Sequence, residues 1–195
     1  MLPGVQRILM GADDDLDTIE APFAMRFFGL PLPAGTPLNV SSNGFISTMT
    51  FDPNMTFYGT IPSTDAPNGV IAAYWADLVL GTEGVCAATV GSAPSRRFII
   101  QWPNAQFYPD AMGAPPTGRA SFELIYNESD ASIDFLYETI SGQPAMAVSR
   151  PAVGIENVLG MGLAVCTGGR SDATPPAPTC TAVTSGTRFR LVPST

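Results

Sequence analysis

Carboxylates carry most of the acid–base chemistry open to this chain. Seventeen Asp and Glu face nine basic residues, all of them Arg, with no Lys and no His. Without His there is no serine triad, no Cys–His pair and no imidazole metal ligand. Without Lys there is no Schiff base and no phosphate-binding lysine of the Walker type. Two-carboxylate catalysis, oxygen ligation of a hard cation and thiol chemistry remain. The net charge of −8 argues against a nucleic-acid partner, because phosphate binding wants clustered cations.

For catalysis the pair to weigh is Glu123 with Asp134. A glycoside hydrolase needs an acid and a base or nucleophile about 5–10 Å apart in a cleft. The two residues fall on facing strands of a predicted hairpin, on the side opposite Phe122 and Tyr137. Solvent exposure alone also places carboxylates on a hairpin's outer face, so catalysis is the minor reading. For a cation, Asp13, Asp14, Asp15 and Asp17, joined by Asp77, offer oxygens to Ca²⁺, which takes 6–8 of them. The run lacks the spacing, glycine and closing Glu of an EF-hand, and a solvated acidic loop leading into the first core strand is the favoured reading. Asp77, two residues after Trp75, either caps a strand end or joins a cation site; capping is the favoured role. No other cofactor is expected.

Cys86, Cys166 and Cys180 allow one bridge and one free thiol. Pairing Cys166 with Cys180 would close a loop of about 15 residues and stabilise by roughly 3 kcal/mol. The alternative is three buried free thiols. The absence of His and of any CxxC spacing argues against zinc. Phe57, Tyr58, Phe107 and Tyr108 lie in stretches read as loops, with Met112 beside them. They are candidates for stacking on a sugar or partner, or for plugging the ends of the fold. Asn54-Met55-Thr56 and Asn127-Glu128-Ser129 fit the glycosylation sequon.

The elements that must hold these groups are strands. Phe122, Leu124 and Tyr126 alternate with polar neighbours, as do Ile133, Phe135 and Tyr137 after a turn at residues 127–130. Phe98, Ile100 and Trp102 alternate likewise. Asn43-Gly44 separates two β-rich runs, 38–42 and 45–51, as a tight-turn signal. Residues 69–80 are apolar without alternation, as in a strand covered on both faces, with Trp75 in the core. Residues 19–29, 152–156, 162–166 and 187–192 complete the strands, while 52–68 and 104–118 read as loops. No helical stripe survives three turns without Gly or Pro, and no internal repeat is visible.

Charged residues make up only 13% of the chain, about half the usual 25% or so. Gly and Pro, 19 of each, punctuate short apolar runs. Ten to thirteen strands in one all-β domain over 1–195 follow: a two-sheet antiparallel β-sandwich, jelly-roll-like, with the acidic segment 1–20 and the Pro-rich loop 167–179 peripheral. The longest apolar run, Val70–Ala76, is far short of the roughly 20 residues of a membrane span. Met1–Arg7 lacks signal-peptide features. The expectation is an extracellular or cell-surface chain, read from after processing or from partway through a larger protein.

The order of the central segments carries a resemblance. Residues 39–47 (NVSSNGFIS) precede 67–78 (PNGVIAAYWADL). Then come 98–102 (FIIQW), 121–126 (SFELIY) and 153–157 (VGIEN). This order resembles the nidogen-like extracellular domain and similar domains of bacterial secreted and surface proteins, over about Pro22 to Asn157. The resemblance implies a β-rich module of matrix, adhesion or surface proteins, with no catalytic residues to carry over. The expected function is non-catalytic adhesion, binding or structure. Its partners would be a protein or glycan at a surface or matrix, or copies of itself. One alternative is a filament or layer subunit joined by strand addition, with the N-terminal segment as donor. The other is the Glu123–Asp134 hydrolase.

Overall fold

The computed structural model describes residues 4–55, 57–108, 118–143, 149–170 and 180–193. Among these described residues fifteen strands follow one another: β1 (Gln6–Ile8), β2 (Leu16–Glu20), β3 (Met25–Phe27), β4 (Leu30–Leu32), β5 (Pro37–Ser41), β6 (Phe45–Ser47), β7 (Val70–Trp75) and β8 (Leu78–Val79). The second half holds β9 (Val85–Val90), β10 (Arg97–Phe107), β11 (Arg119–Asn127), β12 (Ile133–Ser141), β13 (Ser149–Glu156), β14 (Gly162–Arg170) and β15 (Arg188–Leu191). One 3₁₀ turn, Pro53–Met55, interrupts them.

Two large antiparallel sheets result. The first runs β1-β9-β10-β11-β12-β15, with β8 beside β10; the second runs β14-β13-β7-β6-β5-β2. The β3–β4 hairpin stands apart from both. Period-two burial drives the layering. On β11 and β12 the predicted alternation holds in register: Phe122 opposes Tyr137, Leu124 opposes Phe135 and Tyr126 opposes Ile133. All six are buried and meet the second sheet across the core. Two side chains also reach across it to backbone. Trp102 Nε1 donates to Ser41 O at 3.0 Å, and Tyr137 Oη donates to Ala73 O at 2.5 Å. The all-β sandwich expected from the pattern is the fold observed.

Local departures have physical causes. The stretch 19–29 is not one strand. It divides at residues 21–24 into β2, in the second sheet, and β3. The Asn43-Gly44 turn does join β5 to β6, but β6 stops at Ser47. Gly44 has φ +83°, whereas Asn43 stays out of the left-handed region, so this is no two-residue type I′ turn. Asn43 is buried instead, its Oδ1 accepting from Leu78 N at 2.9 Å and its carbonyl from Ala76 N.

The stretch 69–80 divides too. β7 is buried at all six positions, and the chain then crosses at Asp77 into the other sheet as β8. One face of β7 meets the core. Its other face, Trp75 included, packs with Phe45 of β6 and with Phe51 and Ile61 of the segment between β6 and β7. Trp75 therefore belongs to a smaller outer cluster, and Trp102 to the main core. The 104–118 loop is shorter than read, because β10 continues to Phe107 and β11 begins at Arg119. Met112 and most of the 167–179 loop lie outside the described residues.

Candidate functional site

Asp77 sits at the corner where the chain changes sheets, and the acidic segment passes beside it through the Asp13–Val79 bridge. Carboxylate oxygens of Asp13, Asp14 and Asp77 lie within 4.8 Å of one another. Asp14, with φ +46°, is held by Asn43 Nδ2 at 2.8 Å. Asp15 and Asp17 do not join them. Their Oδ1 atoms accept from the amides of Leu16 and Thr18, at 2.8 and 2.7 Å. The cluster is thus Asp13, Asp14 and Asp77, a set that could offer three oxygens to a hard cation such as Ca²⁺. Without a cation its charges repel. Burial, with repulsion from Asp14 and Asp13 behind it, pushes Asp77 up to about 7.

A second carboxyl behaves alike. Glu156 is fully buried at the end of β13, its Oε2 accepting from Ser63 N at 3.0 Å, and burial pushes it up to about 7. Between pH 4 and pH 7, roughly, the folded chain keeps protons that these groups lose on unfolding. Stability is therefore greatest at the acid end of that window and falls as the pH rises. Glu128 acts in the opposite sense, but only at lower pH, because its hydrogen bond to Arg96 holds it near 2. The melting temperature at pH 5 should exceed that at pH 8, and the double variant Asp77→Asn, Glu156→Gln should narrow the gap. A wild-type melting temperature that rises between pH 5 and 8 would refute this.

Glu123 and Asp134 do lie on the outer face of β11 and β12, Glu123 opposite Leu136 and Asp134 opposite Ile125. They do not share a cleft. Asp134 is buried under β15, where Arg188 Nη2 stands 3.1 Å from its Oδ1 as a charge contact rather than an aligned hydrogen bond. Its Oδ2 accepts from Asn127 Nδ2 at 2.8 Å and faces Arg190 at 3.8 Å. This carboxylate fastens the last strand to the sheet. Glu123 instead borders an open depression of about 540 Å³ with Gln101, Leu136, Glu138 and Arg188. Burial and the nearby Glu138 raise its pKa. The Asn127 amide also donates to Ser132 Oγ, so a glycan there would break the network around Asp134.

The four candidate aromatics are not gathered. Phe107 is buried on β10 against Tyr74, with its ring centroid 6.1 Å away, and is not the exposed loop residue expected. Tyr108 is exposed. Phe57 and Tyr58 pack edge-on at 4.8 Å, with Arg170 over the Tyr58 ring. The described ring contacts do not connect this pair to Tyr108. Cys166 and Cys180 are bridged, and Cys86 is a half-buried free thiol. The bridge ties β14 to the segment leading into β15.

A trough that sequence reasoning missed opens where β14 and β15 end their sheets. It encloses about 770 Å³, with Phe27 and Phe28 of the β3–β4 hairpin, Ile155, Leu163, Leu191 and Val192 in its walls. The acids at its rim are already paired. Glu128 takes both Nε and Nη2 of Arg96, and Asp130 takes Nη2 of Arg190. Phe28, Leu163 and Val192 stay largely exposed. Phe28 forms the hairpin tip with Gly29, at φ +49° and +76°, the pattern of a type I′ turn. Asn or Gly is the usual occupant of the first place, and an aromatic there is strained. The signal in the sequence was an aromatic preceding Gly29 between two short β runs.

A family model described as NIDO related matches residues 3–193. No curated protein and no solved structure matches the chain.

Proposed function

Because the chain belongs to the NIDO-related family over residues 3–193, we propose that it is a non-catalytic extracellular module that binds a protein ligand in the trough between β14 and β15. The observation that carries this reading is Phe28, an exposed aromatic kept at a strained positive φ on the rim of an apolar depression. Strain of this kind costs on the order of 1–3 kcal/mol and concentrates at functional positions. Exposed apolar clusters likewise mark interaction sites.

Other features support the reading. The Cys166–Cys180 bridge suits an oxidising compartment. Asp134, the residue a hydrolase would need beside Glu123, is committed to holding β15. No described ring contact joins Tyr108 to the Phe57–Tyr58 pair, whereas the trough walls are apolar, which favours a protein over a glycan. Such a module works passively and needs no cofactor.

The test separates stability from binding. Phe28→Asn places a preferred residue in the type I′ turn, so the melting temperature should hold or rise. Binding to any hit on an array of matrix and surface proteins should nevertheless fall at least tenfold. Equal binding by the variant, or an array without hits, would overturn the proposal.

A further inference from the structure

Four strands end the two sheets, and each carries charge: Arg7 on β1, Arg188 and Arg190 on β15, Asp17 and Glu20 on β2, and on β14 only Arg170 at its C-terminal end. Charged side chains on an edge are a common guard against pairing with another chain. β14 differs. Its C-terminal part is covered, because Thr60 bridges Gly168 and Ile61 N donates to Thr167 O at 2.9 Å. Among the described residues nothing pairs with the outer edge of its first four, Gly162-Leu163-Ala164-Val165. This open part holds neither charge nor proline.

The turn before it is equally unusual. Asn157 Oδ1 accepts from Leu159 N and Met161 N, and its carbonyl accepts from Gly160 N. These bonds fix a turn whose side chains are apolar where polar ones are the norm. Val158, Leu159, Met161 and Leu163 are 44, 67, 59 and 58% exposed. From Asn157 to Val165 there is no charged residue.

We infer that this edge pairs with the same edge of a second copy of the chain, β14 against β14 about a two-fold axis. The inference rests on the reading of the chain as a binding module and names one of its partners. Antiparallel pairing of like edges is what a two-fold axis produces, and it would join the two six-stranded sheets into one. Two chains of net charge −8 repel, so a self-contact is tolerated where the contact itself is neutral, as residues 157–165 are. The absence of Arg there also speaks against an anionic membrane as occupant, since such surfaces attract through clustered cations. The four side chains expose on the order of 100 Å² each. Two copies would then hide roughly 800 Å², plus the new ladder, the scale of a weak and reversible interface. The dimer presents two troughs beside one continuous sheet, which raises avidity for a repetitive ligand.

Light scattering during size exclusion tests this on the whole chain. The mass should climb from 20.5 kDa toward twice that value as concentration rises. Added salt should strengthen the dimer by screening repulsion. Leu163→Lys and, independently, Met161→Lys should return the mass to the monomer, while Met10→Lys, equally exposed in the turn after β1 of the other sheet, should not. Amides of residues 162–165 should gain exchange protection with concentration. A constant monomer mass, an open polymer, or a dimer indifferent to both lysine variants would overturn the inference. The trough reading would stand or fall separately, on Phe28→Asn and the array.

Discussion

Trp102→Ala should lower the unfolding free energy by about 3–5 kcal/mol, the range for removing a large buried aromatic. Trp102 is fully buried on β10, stacks on Phe122 at 5.2 Å with rings 14° apart, and donates to Ser41 O of the opposite sheet. Truncation opens a cavity in the middle of the sandwich and removes the shorter of two bonds to Ser41 O, leaving the one from Gly44 N at 3.3 Å. Trp102→Phe separates these two losses. It refills most of the volume and removes only the hydrogen bond, so it should cost about 1–2 kcal/mol, the scale of one such bond. Urea unfolding of the three proteins gives the comparison. A Trp102→Ala cost below that of Trp102→Phe would show that Trp102 is not the joint between the layers.

Gly44→Ala should be comparably damaging, although it adds a single methyl group. Gly44 has φ +83°, a conformation costing L-residues roughly 1–2 kcal/mol. A Cβ there would stand 2.1 Å from Tyr74 O and 3.0 Å from the Phe122 ring. Backbone cannot yield at that point, because Tyr74 N donates to Gly44 O at 3.0 Å, which ties the turn to β7. Strain and overpacking together predict a loss of about 2–5 kcal/mol. Gly35→Ala is the control: it too has positive φ, +82°, but nothing within 4 Å of the added atom. It should cost only the conformational part. Equal melting temperatures for the two variants would show that contact with Tyr74 is unimportant.

Both positions bear on the proposed binding surface. The trough is formed by the ends of two sheets and a small hairpin, so its walls keep their spacing only while the layers stay in register. Trp102 and Tyr137 hold that register across the core, and Asp134 with Arg188 and Arg190 holds β15 at the wall. These buried polar groups are thus explained by assembly, and the proposed binding rests on the exposed apolar groups instead.

Much of this architecture was legible before folding was considered. Alternation at 122–126 and 133–137 identified the inward faces correctly, because the side-chain period of a strand is a local property. The absence of His and Lys excluded whole classes of chemistry by composition alone. The spacing of Cys166 and Cys180 made their bridge one of the open options. Burial of both faces of β7 was legible as well, since a strand without alternation needs covering twice.

What covers those faces was not legible, nor was the crossing at Asp77 that splits 69–80 between sheets. That crossing gathers Asp77 with Asp13 and Asp14, leaving out Asp15 and Asp17, because contacts across more than 60 residues set the geometry. Phe107 looked like a loop aromatic because its strand continues only by pairing with β8 and β11. The trough, the strained Phe28 tip and the bare edge of β14 depend on which strands finish each sheet. Strand order is decided by long-range pairing and packing, and no local period encodes it. Sequence determined which side chains turn inward and what chemistry is missing; only the tertiary structure decided which edges and apolar groups were left facing outward.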